Sequence, residues 1–313
     1  MLKISETAYN NWPHCVELKN EKIKLIVTTD VGPRIIYCGT TDSDFNLFYQ
    51  DENQGKVNSS EWLIYGGHRL WHSPQIGFRP NQSDNAQVPY TVKDHSLVLN
   101  CPEETATKVQ KEIIITLDPD KARVQVVHRI YNRGLWPIKL AAWALTVMAE
   151  GGTVILPIPR EDTWFMPNYA ISFWPWTKPN DHRFTLGERY MLLKHDRSDE
   201  RWFKIGYRNT EGWGAYLING FMFVKLYLPI PGEEYPDYGS TFEIYADNRF
   251  LELESLGPLK TLEPGGFTEH KEEWYVFENV NLPFSESDIS ESKILEPKID
   301  ENAANLISMI NHK

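Results

Sequence analysis

Cysteine is scarce in this chain, with three in 313 residues, at positions 15, 38 and 101. Their number is odd and their spacing matches neither a zinc site nor a disulfide framework, so Cys15, Cys38 and Cys101 read as reduced thiols. No apolar run approaches the roughly 20 residues a bilayer-spanning helix needs. Positive charge is short as well: 32 Lys and Arg against 43 Asp and Glu leave a formal net charge of −11. Nucleic acids and anionic membranes are held by clustered cations, so neither is an expected partner. The opening residues Met1-Leu2-Lys3-Ile4-Ser5-Glu6 lack the apolar stretch of a secretory leader, and with the thiols they point to a cytoplasmic protein. A GxSxG elbow, an HExxH pair, a phosphate-binding glycine loop and a dinucleotide fingerprint are all missing.

Extended helical patterns are nearly absent before residue 284; short alternating runs fill the space instead. They include 23–27, 34–38, 90–93, 96–100, 108–117, 122–131, 139–148, 203–207, 213–218, 221–227, 241–246, 250–256 and 272–277. Asp118-Pro119-Asp120-Lys121 and Asn219-Gly220 mark hairpin turns between neighbouring runs. About fifteen strands without a helical layer imply an all-β protein of two large antiparallel sheets packed face to face. One domain is expected over 1–283. A C-terminal extension over 284–313 follows, polar and loop-like at Ser285–Lys293, with a short helix at Glu301–Asn311.

Candidate chemistry is concentrated in a few segments. In Phe250–Leu256 the alternation puts Leu251, Leu253 and Ser255 on one strand face and Glu252 and Glu254 on the other. The two carboxylates then stand about 6–7 Å apart along the strand. They face either water or a lined cleft, and in a cleft one of them could act as a general base. Tyr65-Gly66-Gly67-His68-Arg69-Leu70-Trp71-His72 reads as a loop or strand rather than a helix. When extended, it places His68, Leu70 and His72 on one side and Arg69 and Trp71 on the other. Arg69 brings five fixed donors suited to hydroxyls or a carboxylate.

The chain holds 11 Trp. The run Phe173-Trp174-Pro175-Trp176, followed by Asp181-His182-Arg183, makes an aromatic loop beside polar groups. Sugars bind such places, stacking their C–H faces on rings while hydroxyls meet polar side chains. A core-capping loop is the structural alternative. Tyr235-Pro236-Asp237-Tyr238-Gly239 is a turn that sets a carboxylate between tyrosines.

In order along the chain, several segments resemble the galactose mutarotase-like superfamily of aldose 1-epimerases, most of all an uncharacterised bacterial branch of it. They are Val31-Gly32-Pro33-Arg34-Ile35-Ile36, Asn46-Leu47-Phe48, Gly66-Gly67-His68-Arg69-Leu70-Trp71, Lys204-Ile205-Gly206, Tyr235–Gly239, Glu252–Pro258 and Leu262-Glu263-Pro264-Gly265. The resemblance implies a β-supersandwich and a small-molecule carbohydrate as partner, with no metal or organic cofactor. It implies Glu254, with Glu252 second, as the base that takes the C1 hydroxyl proton, and Arg69 as a sugar-binding residue. The family's acid histidine has no counterpart in Lys139–Leu145, where Trp143 or a neighbour stands instead. His72 or His68 is then the expected acid, with His182 or Lys204 as further substitutes. Trp174, Asp181, His182, Lys204, Asp237 and Glu252 are the expected sugar contacts. An aldose 1-epimerase-like isomerase is the leading expectation. A sugar-binding or sensing protein without catalysis, and a carboxylate-pair glycoside hydrolase or lyase, are the alternatives. Which sugar is bound, whether it is phosphorylated, and the oligomeric state stay open.

Overall fold

The computed structural model describes residues 2–59, 62–76, 84–280 and 285–291. Two antiparallel sheets, of eleven and ten strands, hold nearly all of its regular secondary structure. At the centre of the larger sheet the strands Gly67–Ser73, Ile138–Met148, Leu251–Leu256, Phe242–Ala246 and Phe203–Tyr207 lie side by side in that order. Facing them, the smaller sheet sets Phe221–Tyr227, Phe267–Phe277 and Arg123–Asn132 next to one another. The expected all-β architecture of two packed sheets is what forms.

Alternation along these strands decides what goes where. Leu251, Leu253, Ile205, Ile244 and Phe203 point between the sheets and meet Phe223 and Trp274 in one continuous apolar core. Truncating such a side chain to Ala costs about 2–5 kcal/mol through lost transfer energy and the cavity left behind. The odd partners of the alternation point outward, on the far face of the larger sheet. There the register pairs Arg69 with Leu145, Leu145 with Glu254, and Glu254 with Glu243. One row therefore crosses four strands with three ionisable side chains on the same face.

Two glycines make this row possible. Gly67 has φ +72, and a Cβ there would stand 2.2 Å from the Ile35 carbonyl oxygen, so the chain can enter the Arg69 strand only without a side chain. Gly206 pairs with Glu243, and a Cβ on it would meet the Glu243 Cγ at 3.0 Å. Its bare backbone leaves the room that the glutamate fills.

Several elements lie beyond the sequence expectation. Lys3–Tyr9 forms an outer strand on Trp12–Lys19, and Ile171–Phe173 and Phe184–Leu186 are three-residue edge strands, too short to show a period. The last long strand starts at Phe267 rather than at 272. Ser285–Lys293, read as loop, contains a helix at Glu286–Glu291. Its Ile289 packs with Leu192, Trp213 and Val224 on the outer face of the smaller sheet. Its Glu286 carboxylate accepts backbone N–H groups of Glu188 at 2.8 Å and Tyr190 at 3.1 Å. The expected helix at 301–311 lies outside the described residues. Cys15, Cys38 and Cys101 are all buried free thiols. No helix among the described residues is long and apolar enough to cross a membrane.

Candidate functional site: an aromatic cleft on the larger sheet

Outside the core, the larger sheet carries a cavity of about 310 Å³. Arg69, Leu145 and Glu252 form part of its floor, and Trp62, Trp71, Trp143, Trp174, Trp176 and Trp202 wall it. Trp71 and Trp143 meet edge to face at 5.7 Å, and Trp176 and Trp202 do so at 6.0 Å on the rim. The sequence pointed to Trp174 and Trp176 in one aromatic loop, but not to the six tryptophans as a group. The signal was present, because Trp71 shares the Arg69 side of its strand, but the wall is assembled from distant segments.

Arg69 is 2% exposed. Its Nη2 donates to Glu252 Oε1 at 2.9 Å, and its guanidinium lies 4.4 Å from the centre of the Trp71 ring. Nε and Nη1 have no hydrogen-bond partner. Leaving a buried donor unsatisfied costs about 1–3 kcal/mol, so the arginine is held under-satisfied beside the cavity.

Glu254 sits deeper. It is fully buried and does not line the cavity. Its Oε2 accepts from Trp143 Nε1 at 2.7 Å and from Lys204 Nζ at 2.8 Å. The same ammonium lies 2.8 Å from Glu243 Oε2, and it rests 4.7 Å and 4.9 Å from the ring centres of Trp143 and Trp174. Lys204 thus plugs the gap between the carboxyls and the cavity. Burial alone would lower its pKa, but the Glu243 and Glu254 carboxylates outweigh burial and raise it. Glu243 is pushed well above the ordinary carboxylate range by burial, with the Lys204 charge opposing and Glu254 adding to the rise. Glu252 is raised for the same first reason, against the pull of Arg69.

No family model and no curated protein matches the sequence. Solved structures do match in shape. A galactose mutarotase-like protein from Lactobacillus casei superposes with a TM-score of 0.57 at 10% identity, over 84% of this chain and all of the other. Another from Clostridium acetobutylicum gives 0.53 at 10% identity, over 88% of this chain and 99% of that one. The fold is galactose mutarotase-like. A TPR-domain containing protein from Parabacteroides distasonis gives 0.56 at 13% identity over 91% of this chain, which spans only 56% of that protein.

On this mutarotase-like frame the expected acid histidines are not in the cleft. His68 and His72 alternate with Arg69 and Trp71 along Gly67–Ser73, so they point between the sheets, where both are fully buried. His68 Nδ1 lies 2.8 Å from Thr146 Oγ1, and its Nε2 lies 2.7 Å from His128 Nε2. Burial pushes the His68 ring well below its ordinary pKa. The expectation that either histidine works beside Glu254 fails because the thickness of a sheet separates them. Trp143 holds the hydrogen bond to Glu254, and an indole N–H is a donor only, with no proton to give at neutral pH.

The remaining expected contacts divide. Lys204, Glu252 and Trp174 line the main cavity. Asp237 lines a smaller neighbouring cavity instead. Asp181 lines neither: it is 3% exposed and clamped by Arg183 through two 3.0 Å hydrogen bonds. His182 stands on the surface, with Nδ1 3.1 Å from the Arg201 guanidinium. Among the described residues two groupings could hold a metal ion by proximity, His68 with His128 and Glu272, and Asp181 with His182 and Asp199. In both, basic side chains already occupy the carboxylates, Lys225 on Glu272 and Arg183 and Arg201 on the aspartates.

Proposed function

We propose that this protein binds a saccharide in the tryptophan-walled cleft and does not accelerate its anomer exchange by a Glu/His pair. The observation that carries the reading is Arg69, a buried cation on the cavity floor with two unpartnered donors among aromatic faces. A pyranose presents what such a site lacks: hydroxyl oxygens for the guanidinium and apolar C–H faces for the rings. The mutarotase-like neighbours, named for a sugar reaction, support the same class of ligand.

Anomer exchange needs a base at the C1 hydroxyl and an acid at the ring oxygen. Glu254 is sealed behind Trp143 and Lys204, and among the described residues no histidine lines the cavity. A second reading rests on Lys204, which lines the cavity 2.8 Å from Glu254 and could in place deliver the proton. Its raised pKa makes it a reluctant acid near neutrality, so the binding reading is preferred. A hydrolase would need two carboxyls facing one another across the ligand, and of the Glu252/Glu254 pair only Glu252 lines the cavity.

Titration calorimetry with a panel of free hexoses and pentoses tests the reading. Binding is expected for at least one sugar, weakened about tenfold or more by Arg69→Lys, which keeps the charge but loses the planar fork. Binding of no sugar, or a protein-driven anomer exchange that Glu254→Gln removes, would overturn it.

A further inference from the structure

A second cavity of about 170 Å³ adjoins the first. Trp174 lines both. On its far side the space is bounded by Phe173, Pro175, Asp237 and Tyr238. The main cavity lies at the low end of the roughly 300–1,000 Å³ usual for small-ligand sites, and the second falls below that range. Taken alone, the smaller space is too small for a site. As a continuation past a shared indole, it adds room for another ring.

The turn that builds it is costly to hold. Asp237 and Tyr238 have φ of +51 and +62, two consecutive non-glycine residues in the left-handed region. Each such residue costs of order 1–3 kcal/mol, and the cost persists only where surrounding structure enforces it. The enforcing contacts are on hand: Ser172 Oγ donates to the Asp237 carbonyl at 3.2 Å and Ser240 Oγ to the same oxygen at 2.8 Å. What the strain delivers is Tyr238, an aromatic side chain fully exposed to solvent (100%), beside a half-buried Asp237. A tyrosine held outward in this way contributes no packing to the fold. Phe173, 40% exposed, stands on the same rim.

We infer that the cleft takes an oligosaccharide of at least two sugar units, one over Arg69 and the next beyond Trp174, against Tyr238 and Phe173. This deepens the saccharide-binding reading and rests on it. A glycosidic linkage crossing the edge of the indole would let each ring use an aromatic face of its own, with Asp237 accepting hydroxyls of the outer unit. A free monosaccharide would leave the second cavity empty and the strained turn without purpose.

The test is calorimetry with glucose, galactose and xylose against the matching di- and trisaccharides in β-1,4 and α-1,4 linkage. For at least one series, affinity is expected to rise about tenfold from mono- to disaccharide and to change little on adding a third unit. Tyr238→Ala, at a side chain with no burial to lose, should bring the disaccharide back to the monosaccharide affinity while leaving the monosaccharide unchanged. Trp164→Ala, at an 88% exposed indole that lines neither cavity, should change neither. Equal affinity for every chain length, or a disaccharide advantage that survives Tyr238→Ala, would overturn the inference and leave the saccharide site standing. Failure of every sugar to bind would remove both.

Discussion

The Leu251–Leu256 strand and its neighbours carry polar side chains on both faces, and the two faces treat them oppositely. Between the sheets, Lys225 is fully buried yet bonded to the Ala144 and Leu253 carbonyls at 3.2 and 3.1 Å and to Glu272 at 2.9 Å. Glu272 also accepts from Trp274 Nε1 at 2.8 Å and from the Ser255 hydroxyl. Ser255 Oγ lies 2.6 Å from His270 Nε2, and His128 Nδ1 lies 3.1 Å from the His270 carbonyl oxygen. This network is closed upon itself. On the cleft face, Arg69 Nε and Nη1 and Glu254 Oε1 are buried without partners. A closed buried network fixes the packing of two sheets, whereas the cleft face keeps buried polar atoms unsatisfied, which is the pattern the proposed saccharide site rests on. Of the histidines expected to do chemistry, His68 belongs to the first kind through His128, and the arginine belongs to the second.

The contrast breaks most easily with acid. The folded protein holds His68 and His128 below their ordinary pKa through burial, and His270 down at about 3 for the same first reason. An unfolded chain protonates histidine below about pH 6.5, so there the unfolded state binds more protons and stability falls with falling pH. The loss runs from about pH 6.5 down toward 3, at up to about 1.4 kcal/mol per pH unit for each ring. Urea midpoints measured between pH 8 and 4 should drop steeply below 6.5; a flat profile would deny the neutral network. Glu272→Gln comes next. It strands the Lys225 ammonium in the core and should cost about 3–5 kcal/mol of unfolding free energy at pH 7. Arg69→Lys sharpens the other side, weakening saccharide binding about tenfold or more while moving the urea midpoint less than Glu272→Gln does. Glu243→Gln is the smallest effect. A carboxyl whose folded pKa is raised loses stability as pH rises through that pKa, so in the variant the urea midpoint should fall less with rising pH than it does in the wild type.

Much of this was readable from the residues, and the limits are instructive. Period-two alternation separated Glu252 and Glu254 from Leu251 and Leu253, and the structure turns the leucines inward and the acids to the cleft face. The same rule already set His68 and His72 opposite Arg69. Giving either histidine the acid role beside Glu254 overrode that rule with the needs of a resemblance, and the geometry follows the alternation. Other features had no sequence signal. That Lys204 would sit between Glu243 and Glu254 depends on which strands become neighbours, and register across non-consecutive strands is not written in local pattern. Asp181 looked like a hydroxyl acceptor next to two tryptophans, but Arg183, two residues on, satisfies it completely. The helix at Glu286–Glu291 is hidden because its sequence offers a single buried apolar residue, Ile289, and its docking depends on the sheet behind it.

The proposed site is an open cleft that holds sugar without opening its ring. One sample can report both events: NMR of free hexoses and pentoses with substoichiometric protein, reading saturation transfer from protein to sugar together with α/β exchange cross-peaks. Transfer to at least one sugar, with exchange at its buffer rate and unchanged by Glu254→Gln, is the expected result. Protein-accelerated exchange that Glu254→Gln abolishes, or no transfer to any sugar, would contradict the account.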